Sequence, residues 1–114
     1  MSKRATTSLG EGRQYIARRI DWDTMGKKVV LVNICDEELL GTTVKTEQVD
    51  LPISREYYGV DKVSETQAID LVKGSSIVNL AGTRIVTKVV KANLANEKAV
   101  KRFGDVSFLM IYKF

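Results

Sequence analysis

Apolar residues recur with two different periods along this chain, and the changes of period mark its elements. Residues 27–35 form a nearly continuous β-branched apolar run, which predicts a strand buried on both faces. Asp36, Glu37 and Glu38 then turn the chain. The Thr, Val and Leu content of residues 42–53 predicts two short strands broken near Asp50, with Pro52 at an edge, and Tyr58-Gly59 closes the region. Ser64-Glu65-Thr66-Gln67 is a capping box, in which the serine oxygen accepts a backbone N–H and the glutamine reaches back to another. Ala68, Leu71 and Val72 share one face of the helix that starts there, and Gly74 is placed to end it in the left-handed conformation.

From Ile77 onward two series repeat every four residues: Ile77, Ala81, Ile85, Val89 and Val78, Gly82, Val86, Val90. This period predicts one helix over 77–91, with Ala81 and Gly82 at its middle allowing close approach to a sheet, and residues 93–96 ending it. Residues 98–103 and 106–112 then predict two strands joined by Gly104-Asp105, a Gly-first pair suited to a type II′ turn. The last strand is the most apolar, with Val106, Phe108, Met110 and Tyr112 on one face and Leu109 and Ile111 on the other, which places it inside a sheet.

Residues 1–26 contain too few apolar side chains to close a core and predict a basic N-terminal extension, carrying a short helix over 13–21 with Ile16 and Ile20 on one side. The expected fold is therefore α+β over residues 27–114. It has two layers, a mostly antiparallel sheet of about five strands with two helices on one face.

Composition removes whole classes of chemistry. With 114 residues the chain is a single modest domain with a tail. It has no histidine, and Cys35 is its one cysteine, which excludes His-based triads, His/Cys zinc clusters and an internal disulfide. No Gly-rich phosphate loop or dinucleotide fingerprint occurs. The expectation is a protein that is not an enzyme and uses no cofactor, metal or small-molecule substrate. No apolar run approaches the length of a membrane span, and Arg13, Arg18 and Arg19 stand where a secretory signal would be apolar, so a cytoplasmic location is expected.

The net charge of +4 hides a segregation. Residues 1–28 hold seven cations against three acids, residues 29–70 three against nine, and residues 71–114 eight against two. Basic ends of this kind attract polyanions. The candidate RNA contacts are Lys3, Arg4, Arg13, Arg18, Arg19, Lys27, Lys28, Lys88, Lys91, Lys98, Lys101 and Arg102, which would neutralise phosphates, with Trp22 and Tyr15 as stacking groups. The expected function is a ribosome-associated RNA-binding protein that contacts ribosomal RNA and neighbouring ribosomal proteins. The alternative is a protein-interaction module whose acidic segment 36–70 meets a basic partner. A third possibility is a small enzyme using Cys35 beside Asp36, Glu37 and Glu38, but no histidine is present to activate the thiol. KRFGDVSF at residues 101–108 matches part of an RNA-recognition signature, yet Arg102 and Asp105 replace a required glycine and aromatic, and a hairpin is the simpler reading. Tyr57 and Tyr58 read as packing residues at the end of a strand.

Four motifs in order, ICDEELLG from Ile34, REYYG from Arg55, SSIVNLAGTRIV from Ser75 and RFGDV from Arg102, resemble a small, mainly archaeal family known as domain of unknown function four-two-four. The resemblance covers about residues 27–113, with Val60 standing where the family has a second glycine and FGDVS where its last hairpin reads near VGGVP. It implies a compact α+β domain beginning near Met25, an inferred link with translation and RNA, and no catalytic residue to assign.

Overall fold

The structure, a computed structural model, describes residues 14–113. The first strand, β1 (Tyr15–Thr24), forms a hairpin with β2 (Lys27–Asp36), and a 3-10 turn (Glu37–Leu39) follows. Next come β3 (Thr43–Lys45), β4 (Asp50–Pro52), the single-turn helix α1 (Arg55–Tyr58), β5 (Asp61–Val63) and α2 (Glu65–Lys73). The chain ends with β6 (Ile77–Ala81), α3 (Thr83–Lys91), a 3-10 turn (Glu97–Ala99), β7 (Lys101–Phe103) and β8 (Val106–Tyr112). Six strands make the main sheet in the order β5-β1-β2-β6-β8-β7, antiparallel except for β2 with β6, while β3 and β4 form a separate two-stranded hairpin. Among the described residues no helix is long and apolar enough to cross a membrane.

The two sheet faces are covered unequally. On one, α2 and α3 bury Tyr15, Ala17, Val32, Ile34, Val78, Leu80 and Leu109 under Ala68, Val72, Ile85 and Val89. On the other, the β3–β4 hairpin and α1 cover only Ile16, Cys35, Ala81 and their neighbours, with Val44, Ile53 and Tyr58 as the lid. The mostly antiparallel α+β class is as expected, but among the described residues the main sheet has six strands and there are three helices, of which α1 lies on the second face.

Three readings of the sequence are corrected. Residues 15–24 are a sheet strand and not a helix or a free extension, because Tyr15 and Ala17 alternate with Ile16 into two separate cores. The hairpin that joins them to β2 turns at Met25 and Gly26, both at positive φ (50° and 78°), a conformation for which Met is no sequence signal. The expected helix over 77–91 is two elements. Residues 77–81 pair with strands on both sides, and Gly82 at φ 127° cannot continue any helix. The left-handed helix end falls at Asn93 (φ 61°) after α3, and Gly74 keeps φ −92°. At Asn93 the N–H groups of Asn93 and Leu94 donate to the carbonyls of Val90 and Val89, satisfying the last turn.

The capping box at Ser64 is formed as its spacing predicts, with Gln67 N donating to Ser64 Oγ and Ser64 N to Gln67 Oε1. Helix α3 has no such box, since its first position follows a glycine. Its N-terminus is capped from another strand: Arg84 N and Ile85 N donate to the two carboxylate oxygens of Asp36 at 3.0 and 2.9 Å. A Cβ on Gly82 would lie 2.3 Å from Asp36 Cγ, so only glycine admits the carboxylate. Asp36→Ala should lower unfolding free energy by roughly 2–3 kcal/mol, from two unmet N–H groups and the lost cap. Gly82→Ala should cost at least ~2 kcal/mol from the contact and the positive φ. Urea unfolding of both and of the double variant checks this; the double should cost less than the sum, because removing the carboxylate relieves the contact.

Candidate nucleic-acid interface

β5 pairs with β1 only at residues 15–17, and β6 with β2 only at residues 31–35. The rest of the hairpin, residues 18–24 with 27–30, is a two-stranded ribbon that runs past the body of the sheet to an exposed Met25. Strand alternation divides its side chains. On the helix side stand Arg19, Asp21, Asp23 and Lys28, where Arg19 Nε donates to Asp21 Oδ1 at 2.8 Å and Lys28 Nζ lies 4.0 Å from the same carboxylate. The Arg19 hydrogen bond holds the Asp21 carboxyl below its usual range. On the opposite side stand Arg18, Ile20, Trp22 and Lys27, with Trp22 directly across from Val29.

That second side continues into a part of the sheet that among the described elements only α1 reaches, over Asn33 and Arg18. The rows are read from the register: Ile20, Leu31, Ile77 and Tyr112, then Arg18, Asn33, Asn79 and Met110. Trp22, Tyr57, Met110 and Tyr112 are 41, 44, 52 and 62 % exposed, a concentration of large side chains that solvent alone does not favour. Asn33 Nδ2 donates to the backbone carbonyl of Tyr57 at 2.9 Å, and Asn79 Nδ2 donates to Asn33 Oδ1 at 2.8 Å. Beside them a cleft of about 430 Å³ lies between the aromatic pair Tyr57/Tyr58, whose rings meet edge to face at 4.8 Å, and the pair Phe103/Phe108 at 5.7 Å. Lys101 also lines it.

The fourteen expected RNA contacts do not form one surface. Lys3, Arg4 and Arg13 lie outside the described residues. Arg18, Trp22, Lys27 and Lys101 share the open face or its rim, with the Arg18 guanidinium donating to the carbonyl of Glu56. Arg19 and Lys28 are on the ribbon's other side, partnered by Asp21. Lys88 pairs with Glu65 at 3.6 Å. Lys91 and Arg102 line a second cleft between α3 and β7, and Lys98 lies in the 3-10 turn beside it. Tyr15, expected to stack on a base, is instead buried, with the Arg84 guanidinium 4.7 Å from its ring centroid. The residues that sequence reasoning missed are Asn33, Asn79, Met110 and Tyr112. A signal existed: Val-Asn-Ile-Cys at 32–35 and Val-Asn-Leu-Ala at 78–81 repeat one pattern, and the two stretches pair in register with an amide at the centre of each apolar run.

Part of the acidic segment is engaged within the chain. Asp36 caps α3, Glu37 pairs with Lys62 at 3.0 Å, Glu38 with Arg84 at 2.6 Å and Asp50 with Lys45 at 3.8 Å. Arg84 is held protonated by Glu38 and also donates to the carbonyl of Gln14 at 3.0 Å. KRFGDVSF is a hairpin, with Phe103 opposite Val106 and Gly104 at φ 63°.

Cys35 is fully buried between Ile16, Val44 and Tyr58, and burial, reinforced by Asp36 and Glu38, pushes its thiol up to about 12. A thiol in that state is neither nucleophile nor metal ligand at neutral pH. Among the described residues no three His, Cys, Asp or Glu side chains stand close enough to hold a metal ion. Cys35 should resist a maleimide at pH 8 in the native state and react within minutes in denaturant. Because its folded pKa is raised, the folded chain keeps a proton that the unfolded chain loses above pH ~9, so stability should fall as pH rises from there toward 12. Native labelling as fast as that of the unfolded chain would contradict the burial.

No curated protein matches the chain. A crystal structure of an uncharacterized conserved protein from Methanopyrus kandleri shares its fold, with a TM-score of 0.66 and 24% identity over 87% of this chain and 90% of that one. A family model described as protein of unknown function (DUF424) matches residues 24–114, from the turn of the β1–β2 hairpin to the C-terminal residue, and the chain belongs to that family.

Proposed function

We propose that this protein is a non-catalytic, cytoplasmic RNA-binding protein that docks on a ribosomal subunit, with ribosomal RNA and adjacent ribosomal proteins as its partners. The observation that carries this reading is the uncovered sheet face, where Trp22, Tyr57, Met110 and Tyr112 lie exposed and Arg18, Lys27 and Lys101 edge the same side. Unpaired bases stack on such side chains for about 1–3 kcal/mol each, whatever their sequence. Cations at the rim release counterions from the phosphates. The ribbon suits a folded RNA scaffold, because a two-stranded arm reaches between helices where the body of the domain cannot. Its charge balance, four cations against two acids over residues 18–30, favours a polyanion. Residues 15–24 of the expected extension therefore enter this reading as one strand of an arm built into the sheet, while the competing protein-interaction reading has Glu37, Glu38, Asp50 and Glu65 of its acidic segment in internal pairs.

Sucrose-gradient sedimentation of cell extract tests the proposal. The wild-type chain should travel with ribosomal particles and be released by nuclease. Trp22→Ala with Tyr112→Ala, both exposed positions, should weaken association tenfold or more without changing the melting temperature. Lys27→Ala with Lys101→Ala should reduce the slope of log affinity against log salt by roughly 1.5. Co-sedimentation that is indifferent to all four substitutions, or that survives nuclease, overturns the reading.

A further inference from the structure

We propose that the cleft between Tyr57 and Phe108 is a subsite for one unstacked nucleobase, recognised through an N–H of the base that donates to Asn79 Oδ1. The orientation of the amides is fixed by a chain of bonds that starts at the backbone. The carbonyl of Tyr57 can only accept, so Asn33 presents Nδ2 to it and turns Oδ1 toward Asn79. Asn79 must then give Nδ2 to Asn33, which leaves its own Oδ1 as a buried acceptor with no donor among the described residues. Buried polar atoms without partners are rare, and one beside a cleft marks where a ligand donor belongs.

The surroundings narrow the ligand to a nucleotide base. Two aromatic pairs line the cleft, Tyr57/Tyr58 from α1 and Phe103/Phe108 from β7 and β8, and their surfaces suit a flat ring. Lys101 lines the same cleft, is exposed and has no ion-pair partner among the described residues, so its ammonium is available to a phosphate. A volume of about 430 Å³ accommodates a base with its sugar. Met110 stands directly across the ladder from Asn79 and is half exposed. Its unbranched side chain gives way to an entering ring more readily than a branched or aromatic one. An aliphatic ligand would fill the walls and leave the amide unmet, and a sugar would meet the amide and leave the aromatic walls bare. The same base chemistry is offered by an RNA chain or by a free nucleotide. The proposal concerns the cleft and does not depend on the ribbon.

Titration of the full-length ¹⁵N-labelled protein with each of the four ribonucleoside monophosphates, and with a tetranucleotide of each, tests it by NMR. At least one monophosphate or its tetranucleotide should saturably shift the side-chain amides of Asn79 and Asn33. Methylation that removes the base N–H, as in N6,N6-dimethyladenosine or N3-methyluridine monophosphate, should weaken binding tenfold or more. Lys101→Glu should weaken a bound monophosphate severalfold and leave its nucleoside nearly unchanged. A tetranucleotide at least tenfold tighter than the monophosphate identifies RNA as the source, and equal affinities identify a free nucleotide; either supports the site. Lys27→Ala with Lys28→Ala should leave monophosphate binding unchanged, which separates failure of the cleft from failure of the ribosomal reading. No shift at the two amides with any of the eight ligands, or methylated bases binding as well as their parents, overturns the proposal.

Discussion

The carboxylate of Asp36 holds the two halves of this fold together. It lies at the end of β2, buried, and accepts from the N–H groups of Arg84 and Ile85 in the first turn of α3, 48 and 49 residues later in the chain. The parallel pairing of β2 with β6 brings Cys35 opposite Ala81, so the next residue on each strand meets its counterpart, and Gly82 makes the room. Desolvation raises the Asp36 carboxyl against the two N–H bonds that favour its charge. The carboxylate is therefore tolerated only because α3 presents those donors, and α3 starts at that point only because the carboxylate is there. The same junction fixes where β6 ends, and with it the position of Asn79 three residues before Gly82.

With α2 and α3 both placed against one face, the opposite face is left to a small lid. The β3–β4 hairpin is tied to its own base by Gly41 N donating to Ile53 O and Ile53 N to Thr42 O, and it reaches no further than the row of Cys35 and Ala81, while α1 extends the lid only to Asn33 and Arg18. Beyond that row the side chains change from buried aliphatic to exposed aromatic and thioether, and two paired asparagines interrupt the apolar strands. Burying an amide pair within a sheet costs stability unless every polar atom is met, so the arrangement makes sense as recognition more than as packing. Function in this reading belongs to the bare face and to the ribbon that extends it.

Much of the architecture was legible from the residues because local chemistry and tertiary structure agree there. The Ser64 box, the β2 run and the Gly104-Asp105 hairpin each specify their own geometry. The failures fall where two elements share one period or where a turn lacks its usual residues. Residues 77–90 repeat every four positions across a strand and a helix, and nothing local shows that Gly82 faces a carboxylate from 46 residues earlier. Met25-Gly26 turns a hairpin without the asparagine or aspartate that would announce it, so β1 passed for an extension. The basic residues were visible, but their neutralisation by Asp21 and Glu65 depends on strand alternation and helix packing. The open face depends on which residues a lid leaves uncovered, which no single segment encodes.

The most direct test of the account is an amide and side-chain NMR footprint of the full chain bound to single-stranded RNA. The bare face predicts shifts and protection centred on Trp22, Asn33, Tyr57, Asn79, Met110 and Tyr112, with α2 and α3 unaffected. A footprint on the helical layer, or saturating RNA that leaves the Trp22 indole and the Asn79 amide where they were, would contradict it.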